Sequence, residues 1–456
     1  MVLPSVHFGI VFMAPKTTFR CLQRSNATDE LLNMTCYSDC KKYEFNSEFE
    51  STIIEQWDLI CDRAWLADFA QTICMFGVLV GSIVFGFISD RYGRRLSLIS
   101  AGTLESCMSF MMPFCPDYWS FFTVRFFLGA ATAGTMITTF VLLMEIFGQR
   151  KRDLLGCIYM LPLTLGQIMM AAIAFYFRTW RGFSVGLAIP TLIYLTYIFY
   201  LPESPKWLIS VGRLEEAANV MTIAAKWNKL PSKDMKAIVE KIVKERASDE
   251  NSKRKATLLD LIRLPSLRIK TLCSCLVWLI CGLSFYGATQ YFGQTSSNIC
   301  LSFLLIGLVQ VPGFLLGAYI SNTLGRRVAV ISMFIISGIG NGILVLPDEW
   351  YYLKLTAGSI GLSCGGAVFS IIYVYTTELF PTVARNMGMG SSSTANRVGS
   401  MLAPFIGGLR INAAWIPPVV YAISPLIGVA ACCCLPETKG KKLEDHLDIE
   451  LQIRNS

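Results

Sequence analysis

The sequence predicts an all-α polytopic membrane protein made of two related six-helix halves. Three observations carry this. The 456-residue chain is 53% hydrophobic and only 16% charged, against roughly 25% charged residues in soluble chains. Its apolar residues fall in blocks of about 20, the length that crosses a bilayer, and not in amphipathic stripes. A basic stretch at the end of one such block, Gly86-Phe87-Ile88-Ser89-Asp90-Arg91-Tyr92-Gly93-Arg94-Arg95, recurs in weaker form as Ile320-Ser321-Asn322-Thr323-Leu324-Gly325-Arg326-Arg327. The mean hydropathy of +0.50 agrees. The net charge of +8 gathers in loops, so it is a topology signal and not a nucleic-acid footprint.

Taken in order, residues 2–15 are apolar but short for a span, so the first helix reads as truncated. No basic n-region or small-residue cleavage site marks a signal peptide. Residues 16–64 are polar. They hold Cys21, Cys36, Cys40 and Cys61, which allow three pairings, and two glycosylation sequons at Asn26 and Asn33. Sequons beside four cysteines place this loop outside. Further spans are expected at 65–88, 96–114, 121–144, 155–176, 183–201, 271–292, 299–321, 328–346, 353–375, 387–408 and 415–435. The basic loops at 90–95, 150–152, 202–270, 326–327 and 436–456 then all fall in the cytosol, as the positive-inside rule requires. One outer loop breaks the pattern with Arg178 and Arg181.

The expected organisation is therefore 1–201 as the first half, 202–270 as a cytosolic loop of short surface helices, 271–435 as the second half, and 436–456 as a cytosolic tail. An internal repeat supports the division. Gly93-Arg94-Arg95 maps to Gly325-Arg326-Arg327 at an offset of about 232, and Gly129 and Gly134 map to Gly361 and Gly366 at the same offset. Glu145 with Arg152 maps to Glu378 with Arg385 at about 233, and Pro202-Glu203 maps to Pro436-Glu437 at about 234. Four matches in one order at nearly one spacing point to duplication. Repeated six-helix halves that hold substrate between them near the midplane are a transporter plan.

The segment 86–95 resembles the signature loop between the second and third helices of the major facilitator superfamily. Within it, Leu201-Pro202-Glu203-Ser204-Pro205-Lys206-Trp207-Leu208, the segment 375–388 and Leu435-Pro436-Glu437-Thr438-Lys439-Gly440 resemble the organic cation, organic anion and carnitine transporter family. So does Trp57-Asp58-Leu59-Ile60-Cys61-Asp62, and the likeness runs from about residue 5 to 440. It implies the major facilitator fold, a small organic ion as substrate, a plasma-membrane location and no cofactor. A monomer is expected, with an oligomer left open.

Two groups of residues are singled out. Asp90, Arg91, Arg94, Arg95, Glu145 and Arg152, with Arg326, Arg327, Glu378 and Arg385 in the second half, read as a cytosolic gate whose ion pairs hold the outward-open state and break on inward opening. The alternative is that the arginines only set topology, which leaves the matched glutamates without a role. Asn322 replaces Asp90 in the second half, so that latch is expected to be weaker. The second group is the substrate site. Arg397 falls near the middle of the eleventh span, where a charge costs about 2.5–3.5 kcal/mol. The resemblance implies that anion- and carnitine-preferring members carry a basic residue there and cation-preferring members Asp. Arg397 therefore points to an anionic or zwitterionic substrate, a cation transporter being the alternative. Arg397 paired with Glu105 is the competing reading.

By the same resemblance Gln310 stands in place of a Glu of cation-type members, Phe314 in place of a Lys of some anion-type members, and Met136 and Phe140 in place of an aromatic pair. Trp278, Phe285 and Tyr286 match aromatic cavity positions. Gln167 is a polar cavity candidate, with Tyr373 and Ser370 beside them in the tenth span. Glu105 reads as a helix-packing group or a coupling site. Cys432-Cys433-Cys434 reads as a lipidation site or as small residues filling a helix end. With two histidines, no GxSxG, no Walker A and no metal-ligand spacing, an enzyme or an ATP-driven pump is not expected. A receptor or scaffold with the fold but no transport is the reading from another class.

Overall fold

A computed structural model of the protein describes residues 7–15, 17–24, 36, 40–146, 161–229, 235–250, 260–295, 298–381, 384–409 and 413–440. Asn26, Asn33 and Arg152 lie outside the described residues, so the sequons and one gate candidate carry no structural account. The first described helix is a single buried turn, α1 (Ile10–Met13). Strands β1 (Thr18–Arg24) and β2 (Cys40–Asn46) then pair as an antiparallel hairpin in the polar loop before α2. The first half continues with α2 (Trp65–Tyr92), α3 (Arg94–Met111), α4 (Tyr118–Ile146), α5 (Leu161–Tyr176) and α6 (Trp180–Tyr200). Short helices Pro205–Ser210, Leu214–Trp227, Met235–Glu250 and Asp260–Arg263 fill the central loop. The second half is α7 (Pro265–Thr295), α8 (Ile299–Thr323), α9 (Arg326–Ile343), α10 (Tyr351–Leu379), α11 (Arg385–Gly408) and α12 (Ile416–Cys433). Eight of the described helices are long and apolar enough to cross a membrane.

Three features differ from the sequence reading. Helix α7 starts at Pro265, inside the predicted cytosolic loop, because proline is pre-organised for a first helical turn and needs no N–H partner there. Helix α6 tightens into a 3-10 stretch over Ile189–Thr196, opening at Pro190, where the missing N–H interrupts the α ladder. The polar loop before α2 holds a strand pair that its composition concealed. Two disulfides, Cys21–Cys40 and Cys36–Cys61, tie it down.

Lipid offers no hydrophobic drive between helices, so close backbone approach does that work through small residues. A side chain at Gly77 or Gly81 of α2 would strike the α4 backbone at Phe126 and Ala130, and one at Gly340 of α9 would strike Gly361 of α10. Between the halves, α2 packs on α11 and α5 on α8. These two seams frame the centre of the molecule. There α1 and the residue pair before it insert Phe8 and Phe12 among Phe285, Tyr286, Phe303 and Phe183.

Candidate functional site

Two helix-end networks face the same side of the molecule. Helix α2 stops at Gly93, whose φ of +106° is left-handed backbone that disfavours other residues. This turn aims the first N–H groups of α3 at Glu203. The carboxylate accepts from Arg94 N at 2.9 Å and Arg95 N at 3.1 Å, capping the helix as an N-terminal anion should. The Arg94 guanidinium donates to Glu145 through Nη2 at 3.0 Å and Nε at 3.2 Å, and to the Ser89 carbonyl at 2.7 Å. It also lies 3.2 Å from Asp90. Arg95 Nη2 donates to the Ile198 carbonyl at 2.9 Å.

The second half repeats this residue for residue. Gly325, at φ +118°, aims Arg326 N and Arg327 N at Glu437, at 2.9 and 3.1 Å. Arg326 Nη2 reaches Glu378 at 3.2 Å and Nη1 reaches the Ser321 carbonyl at 2.9 Å. Asn322 accepts from Arg326 Nη1 at 2.8 Å, so the amide in place of Asp90 keeps its bond. The Asp90 side chain is 79% exposed, and such a pair is worth little. Burial works against charge on Glu437. The N–H groups of Lys439, Arg326, Arg327 and Thr438 outweigh it and hold its carboxyl below the usual glutamate range.

Arg94 meets Glu145 and Arg326 meets Glu378, partners that the gate expectation named, and among the described residues every pair in these networks closes inside its own half. Arg91 is exposed and stacks over Phe87 and Tyr92 at 5.8 and 5.9 Å; at the helix surface it is out of reach of the network. Arg385 is also outside it, because Glu378 is taken by Arg326 and the Thr438 hydroxyl. Its Nε and Nη2 are buried without a hydrogen-bond partner among the described residues. Glu203 and Glu437, the acceptors that organise both networks, were not among the gate candidates. The repeated Pro-Glu pair was the signal that could have found them.

The central group is different in kind. Arg397, 2% exposed on α11, touches the Met136 sulfur of α4 through Nη2 at 3.8 Å, across the two halves. Its Nε and Nη1 have no hydrogen-bond partner among the described residues. Glu105 is not its counter-ion. That carboxylate is buried between α3 and α4, where it accepts from Thr135 Oγ1 at 2.8 Å. His7, Tyr286 and Tyr373 lie within electrostatic reach of the guanidinium. Around it stands a ring of aromatics. Trp278 meets Tyr373 edge-on at 4.6 Å, Phe140 of α4 lies 5.7 Å from Tyr373, and Phe369 bridges Phe285 and Tyr373. Trp278 Nε1 donates to Thr376 at 2.8 Å and Asn396 Nδ2 to the Trp278 carbonyl at 3.1 Å. Thr376, Asn396, Phe369 and His7 escaped the sequence reading because ordinary residues gain such roles only through packing.

The remaining candidates do not bond to this group. Gln167 of α5 and Gln310 of α8 are fully buried, and neither amide has a hydrogen-bond partner for its oxygen or nitrogen among the described residues. Phe314 is buried on α8 beside Gly366 of α10. On the opposite face of the molecule, Glu48 lies 3.9 Å from Arg178 and accepts the Ile299 N–H of α8 at 3.2 Å. Arg181 stacks on Trp180 at 5.2 Å and donates to the Cys115 carbonyl. The two arginines that break the charge pattern thus have local partners.

A two-bundle helical fold with a cation buried between its halves defines a multi-pass membrane transporter, and comparison with known proteins agrees. The family model described as sugar (and other) transporter matches residues 62–447. Solute carrier family 22 member 16 of Homo sapiens is 32% identical over 88% of this chain and 70% of its own length. Member 12 from Rattus norvegicus is 34% identical over 89% and 74%. The organic cation transporter protein of Drosophila melanogaster is 29% identical over 90% and 76%. A partially occluded inward open conformation of the xylose transporter XylE from E. coli matches with a TM-score of 0.68 at 18% identity, covering 84% of this chain and 90% of that one. That likeness carries the fold, which is that of the major facilitator superfamily. The chain belongs to the sugar (and other) transporter family and, within it, to solute carrier family 22.

Proposed function

We propose that the protein is a secondary or facilitative transporter of small organic ions that works by alternating access and favours anionic or zwitterionic, carnitine-like substrates. The observation that carries this is Arg397. A guanidinium is always charged, and a buried charge without a counter-ion is costly enough that it ordinarily marks a substrate path. A carboxylate on the substrate would supply the missing partner through charge-assisted bonds to Nε or to Nη1, which lie on different sides of the guanidinium. Trp278, Tyr286, Phe285, Tyr373, Phe140 and Met136 would take its apolar body. Gln167, Gln310 and Phe314 are proposed as contacts for the part of the substrate that lies toward α5 and α8. A cation would meet the aromatics but also the unscreened charge of Arg397, which argues against the organic cation reading. The helix-end networks keep each half rigid while the two rock against each other, and transport needs no catalytic residue. In the proposed orientation, Asn26 and Asn33 are glycosylated outside the plasma membrane and the helix-end networks lie in the cytosol.

The test is uptake of labelled carnitine, an anionic dye and a cationic dye into expressing cells. Wild type is expected to favour the first two. Arg397→Asp should cut anion uptake by about tenfold or more, the loss of a charge-assisted pair worth at least about 1.4 kcal/mol. Unchanged anion uptake would refute the role of Arg397. No flux of any substrate at normal surface expression would favour a non-transporting receptor.

A further inference from the structure

Helix α12 ends at a run of three cysteines, Cys432, Cys433 and Cys434, to which the proposed substrate site assigns no role. Its lipid-facing stripe is regular: Ile423, Leu426, Ile427 and Ala430 lie at the spacing of one helix face, and its opposite side packs on α7 and α9. Cys433 and Cys434 are both exposed; Cys433 continues that stripe by one more turn, and the Cys434 thiol lies beside Cys273 of α7 at its edge. Cys432 is fully buried, with its sulfur turned toward the Arg327 carbonyl at 3.9 Å. The two outer thiols therefore sit where the apolar stripe meets the basic helix-end network. Arg327 donates to the Cys433 carbonyl at 2.6 Å, and Lys439 lies at the same level against the Thr323 carbonyl. Cations at this depth suit the phosphates of an acyl-coenzyme A, and the stripe above suits its chain.

We propose that Cys433 and Cys434 are S-acylated with long-chain fatty acids that lie along the Ile423–Ala430 face of α12. Each sulfur forms a thioester with the acyl carbon as the coenzyme A thioester bond breaks. The thiol proton leaves on the released coenzyme A. A membrane acyltransferase catalyses the transfer from the long-chain acyl-coenzyme A donor. Thioester-linked chains at a juxtamembrane cysteine are reversible, so the modification would tie the end of α12 to the inner leaflet in a regulated way. The proposal rests on the cytosolic placement of this helix end.

The experiment uses the full chain in cells fed alkyne-tagged palmitate, followed by hydroxylamine-dependent mass-tag exchange. Wild type is expected to incorporate the label and to shift by two tags. Cys433→Ser and Cys434→Ser should each lose one tag, and the double variant both. Cys432→Ser, Cys273→Ser and Cys107→Ser should keep both. Both lipid-facing positions tolerate serine without loss of packing, and surface expression of each variant checks this. No hydroxylamine-sensitive shift in wild type, or an undiminished shift in the double variant, would overturn the proposal. Labelling of Cys433 by an impermeant maleimide applied outside intact cells would overturn the orientation instead, which separates the two failures.

Discussion

Glu437 accepts the Arg326 backbone N–H at 2.9 Å, joining the segment after α12 to the first turn of α9, and Glu203 does the same for Arg94 at 2.9 Å. In each half, one carboxylate from the far end of the bundle caps the helix that follows the glycine turn. A helix cap is worth about 0.5–2 kcal/mol. Glu437→Gln should therefore lower the melting temperature of the purified protein by a few degrees. The pH dependence has a definite sign. Because the folded carboxyl is held below its ordinary value, its contribution is fully present above the unfolded value of about 4.3. It is lost as pH falls through the depressed folded value. Glu437→Gln should flatten that acid limb; an unchanged limb would show that the cap does not titrate with unfolding.

The Arg94–Glu145 pair, with side chains 11% and 17% exposed, has a counterpart in Arg326–Glu378 at 10% and 27%. Removing one member of a largely buried pair costs about 3–5 kcal/mol, since the other is left uncompensated. Arg94→Gln should destabilise the protein more than Arg94→Gln combined with Glu145→Gln. A double-mutant cycle on thermal stability and on transport rate measures the coupling. Additive effects would mean that the pair carries no coupling energy.

Much of the fold is legible in the residues themselves, because bilayer length and a duplicated basic motif are strong, local signals. The two glycine turns and Arg94, Arg326, Glu145 and Glu378 come from the repeat alone. What escapes is set by partners distant in sequence. Nothing local in residues 40–46 says that they pair with residues 18–24. Nothing in the Arg94 motif says that Glu203 caps the helix it opens. Arg397 stands out because a lone charge is conspicuous in an apolar helix. Asn396 and Thr376, which orient Trp278, do not.

Gln167 and Gln310 separate packing from recognition. Both are fully buried, with amides unpaired among the described residues. An unmade buried hydrogen bond costs about 1–3 kcal/mol, and an apolar replacement of similar shape is neutral or stabilising. Gln167→Leu and Gln310→Leu should therefore leave stability unchanged or raise it. If the amides hold substrate, the same variants should raise the apparent KM for anion uptake by about fivefold or more, roughly 1 kcal/mol of lost contact. Unchanged KM with raised stability would assign both residues to packing alone. Gln310→Glu tests charge at the same position: it should shift uptake from anionic toward cationic dye.

Glu48 links the turn before α6, through Arg178, to the first N–H of α8, and so joins the two halves on the face opposite the helix-end networks. At 3.9 Å, with side chains 33% and 28% exposed, the ion pair is worth about 0.2–1 kcal/mol. A link that weak can be broken and remade in each cycle of the proposed alternating access. Cys300, a buried free thiol next to Ile299, reports on whether this face opens. In a background with Cys107→Ser and Cys115→Ser, Glu48→Gln should raise the rate at which an impermeant maleimide labels Cys300 from outside. An increase of about two- to fivefold corresponds to loss of that pair. An unchanged rate would mean that Glu48 serves the loop before α2 only, and that closure of this face rests on the packing of Phe12 against Phe49, Phe183 and Phe303.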